Sequence, residues 1–362
     1  MMSKKAIIIA FVMLAMGIFF LIANPVMMDD GFHYEGFAEA LARGELNFKD
    51  YYGFQGLSFF AVPIYWLTHS KISIIITSMI LSLLSIPLVY GIGKKLGSGT
   101  AGVMIFLLTP YPYMTMMRGF QEAALLFFIL LVIYGALHEK TWTGLAWGIG
   151  AIVKPFALVL LPLFKLRLVP LVVGLSIMGG YGIFNYVQTG HFVNLAATGA
   201  YEGVYDPSNV PAFEKSFVFD WKTWARTGAN FLVHTRKIMV SPLAILIGAW
   251  ALWSLKTIPL RRRIILAVVL NILLVGPITY AFPKYLLPAT TLLSFAAIPL
   301  LVRYAWLWPL VLIDSIFVFL PNYNFFGHVF WPSPVVAFLP LFLAVFLCLY
   351  ENLYHYSNSA RA

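Results

Sequence analysis

Long apolar runs alternate with short polar loops along the whole chain. Runs that approach the ~20 apolar residues needed to cross a hydrocarbon core cover 6–27, 72–93, 100–117, 120–137, 168–186, 238–255, 264–281, 286–302, 304–320 and 333–350. Two shorter apolar stretches lie at 142–153 and 156–164. The pattern predicts an all-α polytopic membrane protein with about 12 membrane-crossing segments, the two short ones forming a hairpin. Residues 1–362 then form a single integral membrane domain. Neither an internal repeat nor a low-complexity tract interrupts it.

Composition agrees. Hydrophobic residues make up 61% of the chain and charged residues 10%, against about 25% charge in a soluble domain. The net charge of +10 would suggest nucleic acid, but the basic residues sit in short loops, where a positive-inside bias accounts for them. Lys4 and Lys5 place the N-terminus in the cytoplasm. The apolar run after them has full span length and no small-x-small cleavage pattern, so it reads as a retained first helix. Alternation puts Lys94-Lys95, His138 to Lys140, Lys165 to Arg167, Lys256 to Arg263, Arg303 and the C-terminus inside. This requires 141–164 to go out and return, with Lys154-Pro155 at the external tip. The expected location is the plasma membrane, or the endoplasmic reticulum in a eukaryote. Cys348 is the single cysteine, so no disulfide forms within the chain.

Most acidic residues fall on the external side, which suggests a functional outer face. Two external segments exceed simple connectors, 28–71 and 187–237. In the first, Phe37 to Ala42 reads as an amphipathic helix at the interface, stopped by Gly44, and Gly56 to Trp66 reads as a second interfacial helix. The second is rich in aromatics, including Tyr201, Tyr205, Trp221 and Trp224, which argues for order.

The sharpest chemical feature is Asp29-Asp30, two short carboxylates where the first span meets the external interface. Partial loss of water makes such a group a stronger base; the plainer reading is a pair of helix-end charges that sets the depth of the span. Lys154 lies between apolar flanks and either meets an anionic headgroup or reaches out to the interface. Arg118 and Glu122 are four apart on one helix face and either pair with each other or together hold a phosphate. Lys284, framed by Pro283 and Pro288, is a third external cation, and Tyr285 follows it. His33 stands close to Asp29 and Asp30, which leaves a divalent metal site open as an alternative. Asp314, inside a span, is either functional or a polar contact between helices. No Walker loop, GxSxG or dinucleotide fingerprint occurs, which points away from a cytosolic nucleotide as energy source.

Four stretches, in order, resemble the GT-C superfamily of polyprenyl-phosphate-dependent glycosyltransferases, especially the branch of protein O-mannosyltransferases and the lipid A aminoarabinose transferase. They are Asp29-Asp30-Gly31 with Gly44 and Lys49-Asp50-Tyr51-Tyr52; Arg118-Gly119-Phe120-Gln121-Glu122; Gly144-Leu145-Ala146-Trp147-Gly148 through Lys154-Pro155 to Leu161-Pro162; and Lys284-Tyr285-Leu286-Leu287-Pro288. The chain departs from the family pattern at Asp30, where Glu is frequent, and at Lys284, where Arg is common.

The resemblance implies inverting transfer of a sugar from a polyprenyl (dolichyl or undecaprenyl) phosphate to an acceptor hydroxyl on the extracytoplasmic face. Asp29, or Asp30, would be the base. Arg118, Lys154 and Lys284 would hold the donor phosphate, with Glu122, His33 and Tyr285 supporting. A phosphate leaving group needs no metal or other cofactor. The acceptor would be a lipid, a glycan or a protein. The rival expectations are a transporter or flippase of a polyisoprenoid-linked sugar or lipid, and a scaffold subunit.

Overall fold

The computed structural model describes residues 8–9, 12–17, 30–45, 56–70, 72–109, 119, 121–164, 168–189, 241–275, 283–330 and 341–347, and of 30, 189, 283, 284 and 319–330 the backbone alone. The described residues are helical or turn, without strands. Helices Ser73–Leu96 and Leu168–Gln188 are long and apolar enough to cross a membrane. Several others, among them Gln121–Leu137 and Pro242–Ser254, are apolar but shorter. Of the long segment expected at 187–237, residues 187–189 close the helix Leu168–Thr189 and the rest lies outside the described residues, as do the Lys49 to Tyr52 step, Asp29 and Arg118.

The described part of the segment 28–71 holds two helices, α1 (Asp30–Ala42) and α2 (Gly56–Thr68). The expected helix at 37–42 therefore starts earlier, at Asp30. Gly44 ends it as expected: its φ is 76°, and Gly44 N–H donates to Leu41 O (3.0 Å) while Glu45 N–H donates to Ala40 O (2.8 Å). These two bonds satisfy the last carbonyls of the helix. The pair runs side by side in the same direction. Ser58 Oγ donates to Tyr34 O (2.8 Å), Tyr65 Oη to Glu39 (3.0 Å) and Trp66 Nε1 to Ala42 O (2.9 Å).

The bundle proper follows. Helix α3 (Ser73–Leu96) turns sharply into α4 (Gly99–Leu107), and α5 (Gln121–Leu137) lies parallel to α3. Ile74 abuts Gly119 at one end of that pair, and Tyr134 abuts Gly91 toward the other. Next come α6 (Thr143–Val153), a 3-10 segment (Pro155–Leu163) and α7 (Leu168–Thr189). After the undescribed stretch come α8 (Pro242–Ser254), α9 (Arg261–Val275), a 3-10 turn (Pro283–Leu286), α10 (Leu287–Ala296), α11 (Ile298–Arg303) and α12 (Leu307–Phe330). Their apolar faces share one core with α3 to α6.

The expected hairpin is present. Pro155 disfavours a helical residue before it, and Lys154 is extended (φ −153°, ψ 136°), so α6 stops at Val153 and the chain turns back. Trp147 Nε1 donates to Ala157 O across the two legs (3.0 Å). The return leg is a 3-10 helix. At about 2.0 Å per residue against about 1.5 Å for α-helix, its nine residues span about the same length as the eleven of α6.

The bundle has two chemically distinct ends. Lys94, Lys95, Lys140, Arg261 and Arg303 collect at one. There Arg261 donates to Leu252 O and to Trp253 O (3.2 Å), closing the end of α8. His138 lies at this basic end, packed on Tyr134 with the rings tilted by 31° (4.2 Å between centroids). Burial, then the charge of Lys95, holds its imidazole below the usual range against a Gly91 hydrogen bond, and Lys140 adds to the lowering. The unfolded chain then binds a proton at His138 before the folded one does. Its contribution to stability is complete above the ordinary pKa of about 6.5 and is lost as pH falls below that. We expect the melting temperature to drop between pH 7 and pH 5, and a His138→Phe variant, which keeps a ring on Tyr134, to drop less. Equal slopes would contradict the assignment.

Candidate functional site

At the end opposite the basic cluster, several helix starts and one hairpin tip meet. The first of these is the start of α3. Its N-cap, Ile72, offers no side-chain hydrogen bond. Glu35 of α1 supplies one instead, accepting from Ser73 Oγ (3.0 Å) and from Ile74 N–H (3.1 Å). A carboxylate there also meets the positive end of the helix dipole. Glu35 is only 3% exposed, so this contact fixes α1, with Asp30 at its start, against α3. The sequence did not single out Glu35 for this role. The two partners are 38 residues apart, and no local spacing announces them.

Ile74 in turn packs under Gly119, which has φ 69°. Gly119 leads into α5, whose first two residues are Gln121 and Glu122. Glu122 pairs with Lys154 at the hairpin tip, Nζ to Oε1. Both are buried, Glu122 at 1% and Lys154 at 8% exposure. Lys154 therefore does not reach out to the interface; it points inward to a carboxylate on the neighbouring helix. The sequence offered Arg118 as the partner of Glu122. Arg118 lies outside the described residues, and the described partner is Lys154.

Two further contacts complete the cluster. The start of α2 lies against the tip, since a Cβ on Gly56 would come 2.5 Å from Val153 Cα. Phe156, two residues past Lys154, stacks on Tyr285 (centroids 4.6 Å, planes 22°). Tyr285 belongs to the Lys284 stretch, held by Asn271 of α9. The Asn271 amide donates to Tyr285 O (3.1 Å) and accepts from Ala289 N–H (3.0 Å). Asn271 is fully buried. Its signal in the sequence was present but unused: one amide inside an apolar run.

Parts of all four motif stretches thus lie at one end: the start of α1 and α2, the Gly119 to Glu122 entry, the Lys154 tip and the Lys284-Tyr285 turn. The backbone puts Asp30 one turn before Tyr34, toward the Gly56 end of α2. His33 is exposed. Among the described residues no group of three His, Cys, Asp or Glu side chains is placed to hold a metal ion. Asp314 proves to be a contact between helices, accepting from Leu243 N–H (2.9 Å) and Ser241 Oγ at the start of α8.

A buried ammonium beside a buried carboxylate can do two chemical things. It can hold the local fold, or it can exchange its carboxylate for a phosphate that enters the same end. Comparison with protein-family models, with curated proteins and with solved structures finds no match to this chain.

Proposed function

We propose that the chain is a polytopic, GT-C-like membrane glycosyltransferase with about 12 crossing segments. In this reading it moves a sugar from a polyprenyl phosphate to an acceptor hydroxyl on the extracytoplasmic face. The observation that supports the reading is that the described parts of the four motif stretches, Asp30, Gly119 to Glu122, Lys154 and Tyr285 among them, lie at the end opposite the basic cluster. Positive loops stay inside, so the end with Lys154, Glu122 and the start of α1 faces out. A lipid carrier presents its sugar at the same depth.

In the proposed reaction Asp29, or Asp30 beside it, takes the proton of the acceptor hydroxyl as its oxygen attacks the anomeric carbon. The bond from that carbon to the phosphate oxygen breaks on the opposite face, so configuration inverts. Lys154, Arg118 and Lys284 stabilise the departing phosphate. Glu122 keeps the Lys154 ammonium at the hairpin tip in the absence of donor.

The test uses the full chain in proteoliposomes with a polyprenyl-phosphate-linked sugar and a membrane extract as the source of acceptor hydroxyls, and reads release of the free polyprenyl phosphate. Positioned general bases contribute roughly 10²–10⁴-fold. Either Asp29→Asn or Asp30→Asn is expected to lose at least about a hundredfold in turnover while donor binding persists. Full activity in both variants sinks the base assignment. Movement of intact donor between leaflets without turnover would favour a flippase instead.

A further inference from the structure

Gln121 is fully buried. Among the described residues neither its Nε2 nor its Oε1 has a hydrogen-bond partner. Buried polar atoms are nearly always paired, and an exception asks for a missing partner. The direction of this amide follows from α5. Residues seven apart share one face of a helix. Gly135 faces α6 through Thr143, and Phe128, seven residues earlier, faces it through Gly150. Gln121 is the next residue of that stripe. On α6, the step of seven back along α5 matches seven forward, from Thr143 to Gly150. One more such step reaches Ala157, past the end of α6 at Val153 and three residues past Lys154. Gln121 therefore faces the returning leg near the hairpin tip, and it is next in sequence to Glu122, which pairs with Lys154.

The chemistry of the amide selects its partner. Nε2 donates and Oε1 accepts. A phosphate diester oxygen only accepts, so it would serve Nε2 and leave Oε1 facing negative charge. A hydroxyl both donates and accepts, and two adjacent hydroxyls match both atoms of the amide at once. We infer that Gln121 reads hydroxyls of the donor sugar, one step away from the phosphate held at Lys154. This inference rests on the glycosyltransferase reading above and adds a specificity residue to it. The one other source of the same chemistry is a resident water.

The experiment compares the full chain with Gln121→Met, and with Gln121→Leu as a second variant should the first fail to fold. The probes are undecaprenyl phosphate alone and undecaprenyl phosphate carrying mannose, glucose or arabinose, with affinities read in detergent. The wild type is expected to bind one glycosylated lipid at least about tenfold more tightly than bare undecaprenyl phosphate. The variant should bind both alike, with unchanged affinity for the bare lipid. Without lipid, the variant should melt at the same temperature or higher, because an apolar side chain removes two unsatisfied atoms. A lower melting temperature in both variants would mean that water had satisfied the amide, and would overturn the inference. So would a sugar preference that survives the substitution, or an equal loss for all lipids. If the wild type binds bare undecaprenyl phosphate without sugar preference, the Gln121 assignment falls while the donor reading stands. If it binds none of these lipids, the donor reading falls and takes the assignment with it.

Discussion

Lys154→Met is expected to destabilise the chain by about 3–5 kcal/mol, the range for removing one partner of a buried ion pair. Lys154 and Glu122 are 8% and 1% exposed, so neither is rescued by water. Methionine fills much of the lysine volume but leaves Glu122 without this counter-charge. The companion expectation is recovery. In Lys154→Met with Glu122→Leu both charges are gone, and replacing a buried pair by apolar groups of similar volume is often neutral or stabilising. The double variant should therefore melt close to the wild type. Unfolding in detergent micelles checks both. A single variant as stable as the wild type would mean that the pair is not buried in solution. The double variant also separates structure from chemistry. Under the proposed function it should fold normally and still fail to bind polyprenyl phosphate, because the ammonium is absent.

The hairpin and the end of α1 were legible because each is set by a local rule. Pro155 forces an extended residue before it, and Gly44 supplies the left-handed residue that closes a helix. The positive-inside expectation added the rest: a return at Lys154 was needed to put Lys165 and Arg167 on the same expected side as the other basic loops. The contact between Lys154 and Glu122 was not legible, because the two are 32 residues apart and spacing reports only which residues share a helix face. The pairing of Glu122 with Arg118 that spacing offered stays open, since Arg118 lies outside the described residues. Glu35 and Asn271 were missed for the same reason, since each serves a helix end far along the chain. The run expected at 286–302 keeps its bounds, Leu287–Arg303, with an interruption at Ala297 ahead of Pro299 that divides α10 from α11. Other span boundaries moved further. The run expected at 100–117 is helical only to Leu107 among its described residues. Helix α12 runs on to Phe330, past the end expected at 320.

The Gly-Leu-x-x-Gly stretch has a physical explanation in packing, and this leads to the other large effect. Gly144 and Gly148 form one face of α6, pressed on the backbone of α7. A Cβ at Gly144 would lie 1.8 Å from Pro170 O and 2.5 Å from Pro170 Cα; at Gly148 it would lie 2.8 Å from Gly174 O. Small residues four apart allow such close approach of helices. The obstructing atoms at Gly144 are all backbone, so no rotamer change relieves them. Gly144→Val must push α6 off α7. We expect a loss at or above the upper end of the about 1–3 kcal/mol typical of overpacking. The displacement also moves the hairpin tip, and with it Lys154 relative to Glu122. Gly179→Ala is the control: nothing lies within 4 Å of its Cβ position, and alanine in a helix interior should gain about 0.5–1 kcal/mol over glycine. Melting of the two variants in one detergent should move in opposite directions. Equal and small shifts would mean that α6 and α7 do not pack this closely.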